Sequence, residues 1–256
     1  MSAGAPAGAP PVLAARGVGV SFGGVRALTG VDVEVRAGEV CGLIGPNGAG
    51  KTTLFDVLSG IRRPDRGRLE LDGRDVTRRS PVWRARHGVR RTFQRQQLFG
   101  QLSVADHLLV AQDWRGRGGL GGAGRRERAR RRERVGQVLE LCGIADLAGA
   151  PAAGLPLGRA RLVELARAVA DRPRALLLDE PASGMSAPER DRLGGVIGRL
   201  AREEGCAVLL VEHHVSFVME RCARVVVLDL GTVLAEGDPA TVRADPLVRE
   251  AYLGGG

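Results

Sequence analysis

The chain has 256 residues, 44% of them hydrophobic, which suits one globular domain, or one with a small subdomain, and a large core. No apolar run approaches the roughly 18 residues of a membrane span, and the N-terminal SAGAPAGAPP lacks the basic start and apolar centre of a secretory signal. The net charge is +9, nearly all arginine, yet 3% aromatic residues supply no base-stacking platform, so nucleic acid is not an expected partner.

Residues 1–11, rich in Ala, Gly and Pro, read as a disordered lead-in. VLAARGVGVSF and VDVEVRAGE, between 12 and 40, alternate like strands. VCGLIG (40–45) is a short apolar run ending in glycine, and PNGAGKTTLFDVLSG after it reads as a turn feeding a helix. RGRLELDG (66–73) is another strand ending in a turn. QLSVADHLLVAQDW (101–114) predicts a helix with Ser103 as N-cap. A glycine-rich stretch (115–124) precedes RRERARRRERVGQVLELCGI (125–144), a helix whose basic start reads as a solvated arm with a few Glu–Arg pairs. In GLPLGRARLVELARA (154–168), Leu162, Leu165 and Ala166, with Val169 beyond, recur at helical spacing. ALLLDE (175–180), CAVLLVE (206–212) and RVVVLDLG (224–231) are strand signals, with a helical stretch between the first two. Alternation of helix with nearly unbroken apolar strands predicts a parallel sheet covered on both faces. Cys41, Cys142, Cys206 and Cys222 have no metal-type spacing and read as reduced, buried thiols.

GPNGAGKT, Gly45 to Thr52, matches the phosphate loop GxxxxGK[ST] in the context that motif needs, after a strand and before a helix. Glycines let the backbone N–H groups turn inward onto phosphate oxygens, and the helix N-terminus adds partial positive charge. Lys51 would reach the outer phosphates and the Thr52 hydroxyl would bind Mg2+. Lys51 is the single lysine among 38 basic residues: a chain otherwise built on arginine has a compact ammonium at this one place. Asp179, at the end of ALLLDE, suits the water shell of that Mg2+, and Glu180 suits the base that activates a water.

The phosphate loop, then RTFQRQQLF, the helix after Gly158, LLLDEP and LLVEHH, in that order, resemble an ABC-transporter ATPase over nearly the whole chain after residue 11. SFGGVRALTGVDVEV, TFQRQQLFGQLSVADHLLVA and LAEGDPATVRADPLVREAYLG resemble the ATP-binding subunits of branched-chain amino-acid importers. The resemblance implies an α/β fold: a P-loop NTPase (RecA-like) core with a mainly parallel sheet, an antiparallel β subdomain and an inserted α-helical subdomain. It implies one ABC ATPase domain over 12–256, with a nucleotide-binding core at 12–95 and 158–237, a helical subdomain at 96–157 and a C-terminal helical tail at 238–256. ATP would be held by Gly45, Pro46, Asn47, Gly48, Ala49, Gly50, Lys51, Thr52 and Thr53. Phe22 matches the aromatic that stacks on adenine, or is a core aromatic. Gln94 matches the glutamine that touches Mg2+ and the lytic water. His213 matches the histidine that bonds the γ-phosphate, and His214 reads as structural. Implied partners are a second cassette, identical or different, transmembrane permease subunits and an extracytoplasmic solute-binding protein. The implied place is the cytoplasmic face of the membrane. Two alternatives stand beside this reading: a cassette that binds ATP without cleaving it well, and a soluble ABC protein acting on nucleic acid or ribosomes.

Leu155 to Arg159 cover the family's LSGGQ signature, which contacts the γ-phosphate on the opposite subunit. Gly158 keeps one glycine and is expected to act in trans. Pro156 replaces the serine, Leu157 the first glycine and Arg159 the glutamine. One N–H and a hydroxyl are lost, and Arg159 is expected to offer a charged donor in their place. The turn therefore reads as phosphate-facing but underequipped, which suits a heterodimer with one weak site. Ser186 stands where the subfamily often has Asn, in the loop after Glu180.

Overall fold

The computed structural model describes residues 10–92, 98–112 and 124–253. Two sheets organise them. In the first, β1 (Pro11–Phe22), β2 (Val25–Arg36), β4 (Arg66–Leu71) and β5 (Arg74–Asp75) form an antiparallel sheet in the order β2-β1-β4-β5. Val31, Val33 and Val35 of β2 are buried while Asp32 and Glu34 between them are not, the period-2 pattern of a strand with one face covered. β1 begins at Pro11, one residue inside the expected lead-in.

The second sheet has the order β10-β9-β3-β8-β7-β6. Its strands are β3 (Val40–Ile44), β6 (Val89–Arg91), β7 (Ala175–Asp179), β8 (Ala207–Val211), β9 (Arg224–Asp229) and β10 (Thr232–Gly237). All neighbours are parallel except the β9–β10 edge pair. β3, β7 and β8 are buried along their whole length, so they read as continuous apolar runs. Leu43, Leu177 and Leu209 face one core with the antiparallel sheet and α1 (Lys51–Ser59). Leu176, Leu178, Val208 and Leu210 face a second core built with α3 (Val104–Gln112), α4 (Arg125–Cys142), α5 (Leu157–Val169) and α6 (Ala187–Glu204). Register places Leu43 and Asp179 level with Val211. The carboxyl ends of β3, β7 and β8 therefore open on one edge, where parallel α/β sheets bind ligands.

Sequence patterns did not foresee α2 (Pro81–Arg86), β5, β6, β10 or α7 (Val215–Arg221), the last of which separates β8 from β9. All are short, below the window in which periodicity is readable. α4 stops at Cys142, two residues early, because Gly143 adopts φ +65° and caps it. The expected solvated arm is only partly so. Glu127 pairs with Arg130 and Arg131, but Arg134, 11% exposed, forks onto Glu204 Oε1 and Oε2 at 2.6 and 2.9 Å and donates to the Val169 carbonyl at 3.1 Å. That arginine fastens the α3–α4 insert to the ends of α5 and α6.

Arg84 on α2 is buried. Its Nη1 donates to the Val57 and Leu58 carbonyls at 2.6 and 2.8 Å, and Nη2 to those of Val76 and Thr77 at 2.9 and 3.2 Å. It thus caps carbonyls at the end of α1, adding to the Gly60 N–H that reaches Val57 at 3.1 Å. Burial pulls its pKa down to about 10, against the opposing charge of Asp75. The four cysteines are free and buried, as expected, and burial pushes Cys41, Cys142 and Cys206 up to about 12. Two short helices follow β10, α8 (Pro239–Ala244) and α9 (Pro246–Val248), each capped by an aspartate, Asp238 and Asp245. Among the described residues no helix is long and apolar enough to cross a membrane.

Candidate active site

β3 delivers the chain into the glycine turn, and α1 takes it away. Gly45 sits at φ +153°, and a Cβ there would fall 2.1 Å from the Leu228 carbonyl oxygen. Gly50, at φ +103°, would bring a Cβ within 2.6 Å of the Ala27 oxygen. Only bare backbone fits at either position. Gly50 caps α1 without a side chain, so the first amides of α1 have no intrahelical acceptor and face the turn. Pro46, Asn47, Gly48 and Ala49 span the turn, with Asn47 and Gly48 exposed and Ala49 buried. Lys51 folds back over it: Nζ donates to the Gly45 and Pro46 carbonyls at 2.6 and 2.8 Å. Burial lowers its pKa, and the charges of Glu180 and Asp179 oppose that. Thr52 is exposed and Thr53 half-buried on the first turn of α1.

Two acids stand at the end of β7. The Asp179 side chain is 7% exposed and its Oδ2 accepts from Arg91 Nη2 at 3.0 Å. Burial raises its pKa, and the Arg91 hydrogen bond and charge lower it less than burial raises it. Glu180 adopts φ +49°, left-handed backbone for a residue with a Cβ, which costs about 1–2 kcal/mol. Its N–H donates to the Val211 carbonyl at 2.9 Å, fixing the turn to the end of β8. Its Oε1 lies 2.8 Å from His213 Nε2. The strained backbone, the neighbouring strand and the histidine together hold one carboxylate oxygen in place.

Glu212, which the sequence reading passed over, is 1% exposed. Its Oε1 accepts from the Ala182 N–H at 2.7 Å, tying the loop after Glu180 to the end of β8. Burial raises its pKa. His214 Nδ1 lies 3.8 Å from Glu212 Oε2, at the start of α7. An acid directly before HH was the available signal.

Phe22 is 51% exposed at the end of β1, so it is not a core aromatic. The Arg62 guanidinium lies over its ring, 3.9 Å from the centroid. Gln94 lies outside the described residues.

The signature turn differs from its expectation. Arg159 Nη1 donates to Asp146 Oδ1 and Oδ2 at 3.0 and 3.1 Å, so its charge is engaged within its own chain. The Glu189 carboxylate accepts from Ser186 N and Oγ at 2.8 and 2.7 Å in a capping box at the start of α6. A Cβ on Gly158 would fall 2.1 Å from Glu189 Oε1. Hydrogen bonds from Ser186 and from the Gly158 N–H, together with the Arg192 charge, hold the Glu189 carboxyl below its ordinary value.

A glycine turn with an ammonium over it, and a buried and a strained carboxylate side by side at the end of β7, form a phosphate-transfer site. The sequence pattern of the ABC transporter family matches residues 28–183. The chain belongs to that family of ATP-binding cassettes. It binds ATP and is an ATPase of the kind that powers transport. The pattern described as branched-chain amino acid ATP-binding cassette transporter matches residues 232–256. The high-affinity branched-chain amino acid transport ATP-binding protein BraF of Pseudomonas aeruginosa is 39% identical over 95% of this chain and 98% of its own. LivG of Escherichia coli K12, described by the same function, is 37% identical over 95% and 98%. Among solved structures, the ADP conformation of MJ1267, an ATP-binding cassette of an ABC transporter, superposes with TM-score 0.83 at 28% identity over 96% of this chain and 99% of that one. The α/β fold with its mainly parallel sheet and antiparallel partner is as expected.

Proposed function

We propose that this chain is the ATP-hydrolysing subunit of an importer for branched-chain amino acids or related small solutes. One observation carries the catalytic half of that reading: Glu180 Oε1 and His213 Nε2 meet at 2.8 Å on the edge where the phosphate loop opens. The solute half is supported by the likeness to BraF and LivG and by the match over residues 232–256.

In this reading backbone amides between Asn47 and Thr53 hold the phosphates, and Lys51 exchanges its two carbonyl acceptors for phosphate oxygens. Phe22 stacks on adenine, with Arg62 behind the ring. The donor set fits Mg2+: the Thr52 hydroxyl and the Asp179 carboxylate are hard oxygen ligands, with phosphates, water and Gln94 completing the shell. The ion, when bound, neutralises charge on the phosphates. Glu180 takes a proton from water as its oxygen attacks the γ-phosphorus. The bond to the β–γ bridging oxygen breaks, leaving ADP and phosphate. His213 holds Glu180 and the γ-phosphate in register.

Partners in this reading are a second cassette, permease subunits and an extracytoplasmic solute-binding protein. The chain then sits at the cytoplasmic face, and the helical insert (96–157) meets the permease. Gly158 serves the partner's nucleotide. The engagement of Arg159 by Asp146 and of Gly158 by Glu189 favours a second reading, in which the composite site closed by this turn hydrolyses weakly. ATP turnover of the complex with permease and neighbouring cassette, wild type against Glu180→Gln, tests the proposal. A fall of at least about hundredfold is expected. An unchanged rate would make this chain an ATP-binding clamp.

A further inference from the structure

Arg91 ends β6, three residues before Gln94, and its side chain is 7% exposed. One guanidinium meets two carboxylates. Nη1 donates to Asp56 Oδ1 at 2.5 Å and reaches Ser59 Oγ at 3.3 Å, while Nη2 donates to Asp179 Oδ2 at 3.0 Å. Asp56 and Ser59 lie on α1, the helix that begins with Lys51 and Thr52. Asp179 ends β7, which pairs with β6. The Phe55 ring, 5.5 Å away, packs beside the cation. Three elements of the site thus share one buried charge.

We propose that Arg91 is a positioning residue for the ATPase reaction, fixing the Asp179 carboxylate against α1 so that it meets the Mg2+ held by Thr52 and the nucleotide. The planar fork explains the residue type. Separate N–H groups reach Asp56 and Asp179 from fixed directions, which a lysine ammonium does not do. The geometry also explains why the bridge ends on α1. Any movement of α1 carries the Thr52 hydroxyl and, through Asp56 and Arg91, the Asp179 carboxylate together. Partners that orient a metal ligand change metal affinity about 10–100-fold when removed.

The inference rests on Asp179 serving Mg2+, and the test separates the two. In the full-length chain, the affinity for a fluorescent ATP analogue is measured in saturating Mg2+ and in EDTA, and the ratio is taken. Asp179→Asn is the reference and is expected to abolish the gain from Mg2+. Arg91→Met is expected to cut that gain about tenfold with the EDTA affinity unchanged, Asp56→Asn to cut it less, and Arg91→Lys to recover part of it. If Asp179→Asn lowers the gain and Arg91→Met does not, the positioning role is wrong. If Asp179→Asn leaves the gain intact, the metal reading of Asp179 is wrong. Should Arg91→Met fail to fold, Asp56→Asn and Arg91→Lys carry the test, and a wild-type ratio in both overturns the role.

Discussion

Two glycine turns in this chain lead into helices, and they have opposite fates. At Gly45–Gly50 the first amides of α1 have no side-chain cap and the one lysine bridges two carbonyls above the turn. At Leu155–Gly158 Pro156 has no amide, the Glu189 carboxylate lies against Gly158, and Arg159 is paired with Asp146. Both turns have a helix dipole behind them. The difference teaches that a helix N-terminus becomes an anion site only when its donors are left unspent. The first turn spends the Ala49 N–H on the Pro46 carbonyl, at 3.2 Å, and the flexible tip of Lys51, which can swing to a phosphate. The second turn is covered by the Glu189 carboxylate and spends its guanidinium on Asp146, both of its own chain.

The largest effect should come from breaking the first turn. Lys51→Met removes the single ammonium, and ATP turnover of the complex is expected to fall at least about hundredfold. Loss of ATP-analogue affinity in the isolated chain would accompany it. Turnover near wild type would mean that the amides alone hold the phosphates.

A smaller effect sharpens the second turn. Gly158→Ala places a methyl 2.1 Å from Glu189 Oε1, and the melting temperature is expected to drop by about 2–4 °C. Adding Glu189→Ala should recover more than additivity allows, because the clash disappears with the carboxylate. Strict additivity in the double-mutant cycle would show that the two residues do not meet.

The smallest effect is a pH dependence. The Glu189 carboxyl is lowered in the folded chain by Ser186, the Arg192 charge and Gly158, so its stabilisation is full above the ordinary value of 4.5. It is lost as pH falls through the lower folded value. Glu189→Gln should therefore melt below wild type at neutral pH, and the gap should close in acid below about 4.5. A gap that stays constant with pH would assign the stabilisation to packing.

The parts of the molecule that the sequence made readable are local ones. The phosphate loop is a contiguous motif, and β3, β7 and β8 announce themselves as apolar runs with Asp179, Glu180 and His213 at their ends. What stayed hidden is held by contacts between residues far apart in the chain. Arg84 meets Val57 across 27 positions, and Arg91 meets Asp179 across 88. One arginine among so many carries no periodic or spacing signal. Glu212 and Glu189 are similar: each looks like an ordinary acid at a strand end or a helix start. The Arg159–Asp146 pair stayed hidden for the same reason, since nothing near Arg159 in sequence announces Asp146, 13 residues earlier.

The sealed cysteines have a practical consequence. Cys41, Cys142, Cys206 and Cys222 are all buried, three of them with thiols pushed up to about 12 and Cys222 raised as well. At neutral pH almost no thiolate is available to a maleimide. A cysteine introduced at an exposed position such as Leu247, 56% exposed, would outcompete the native four. The wild-type background therefore accepts a spectroscopic label at a chosen point without prior cysteine removal.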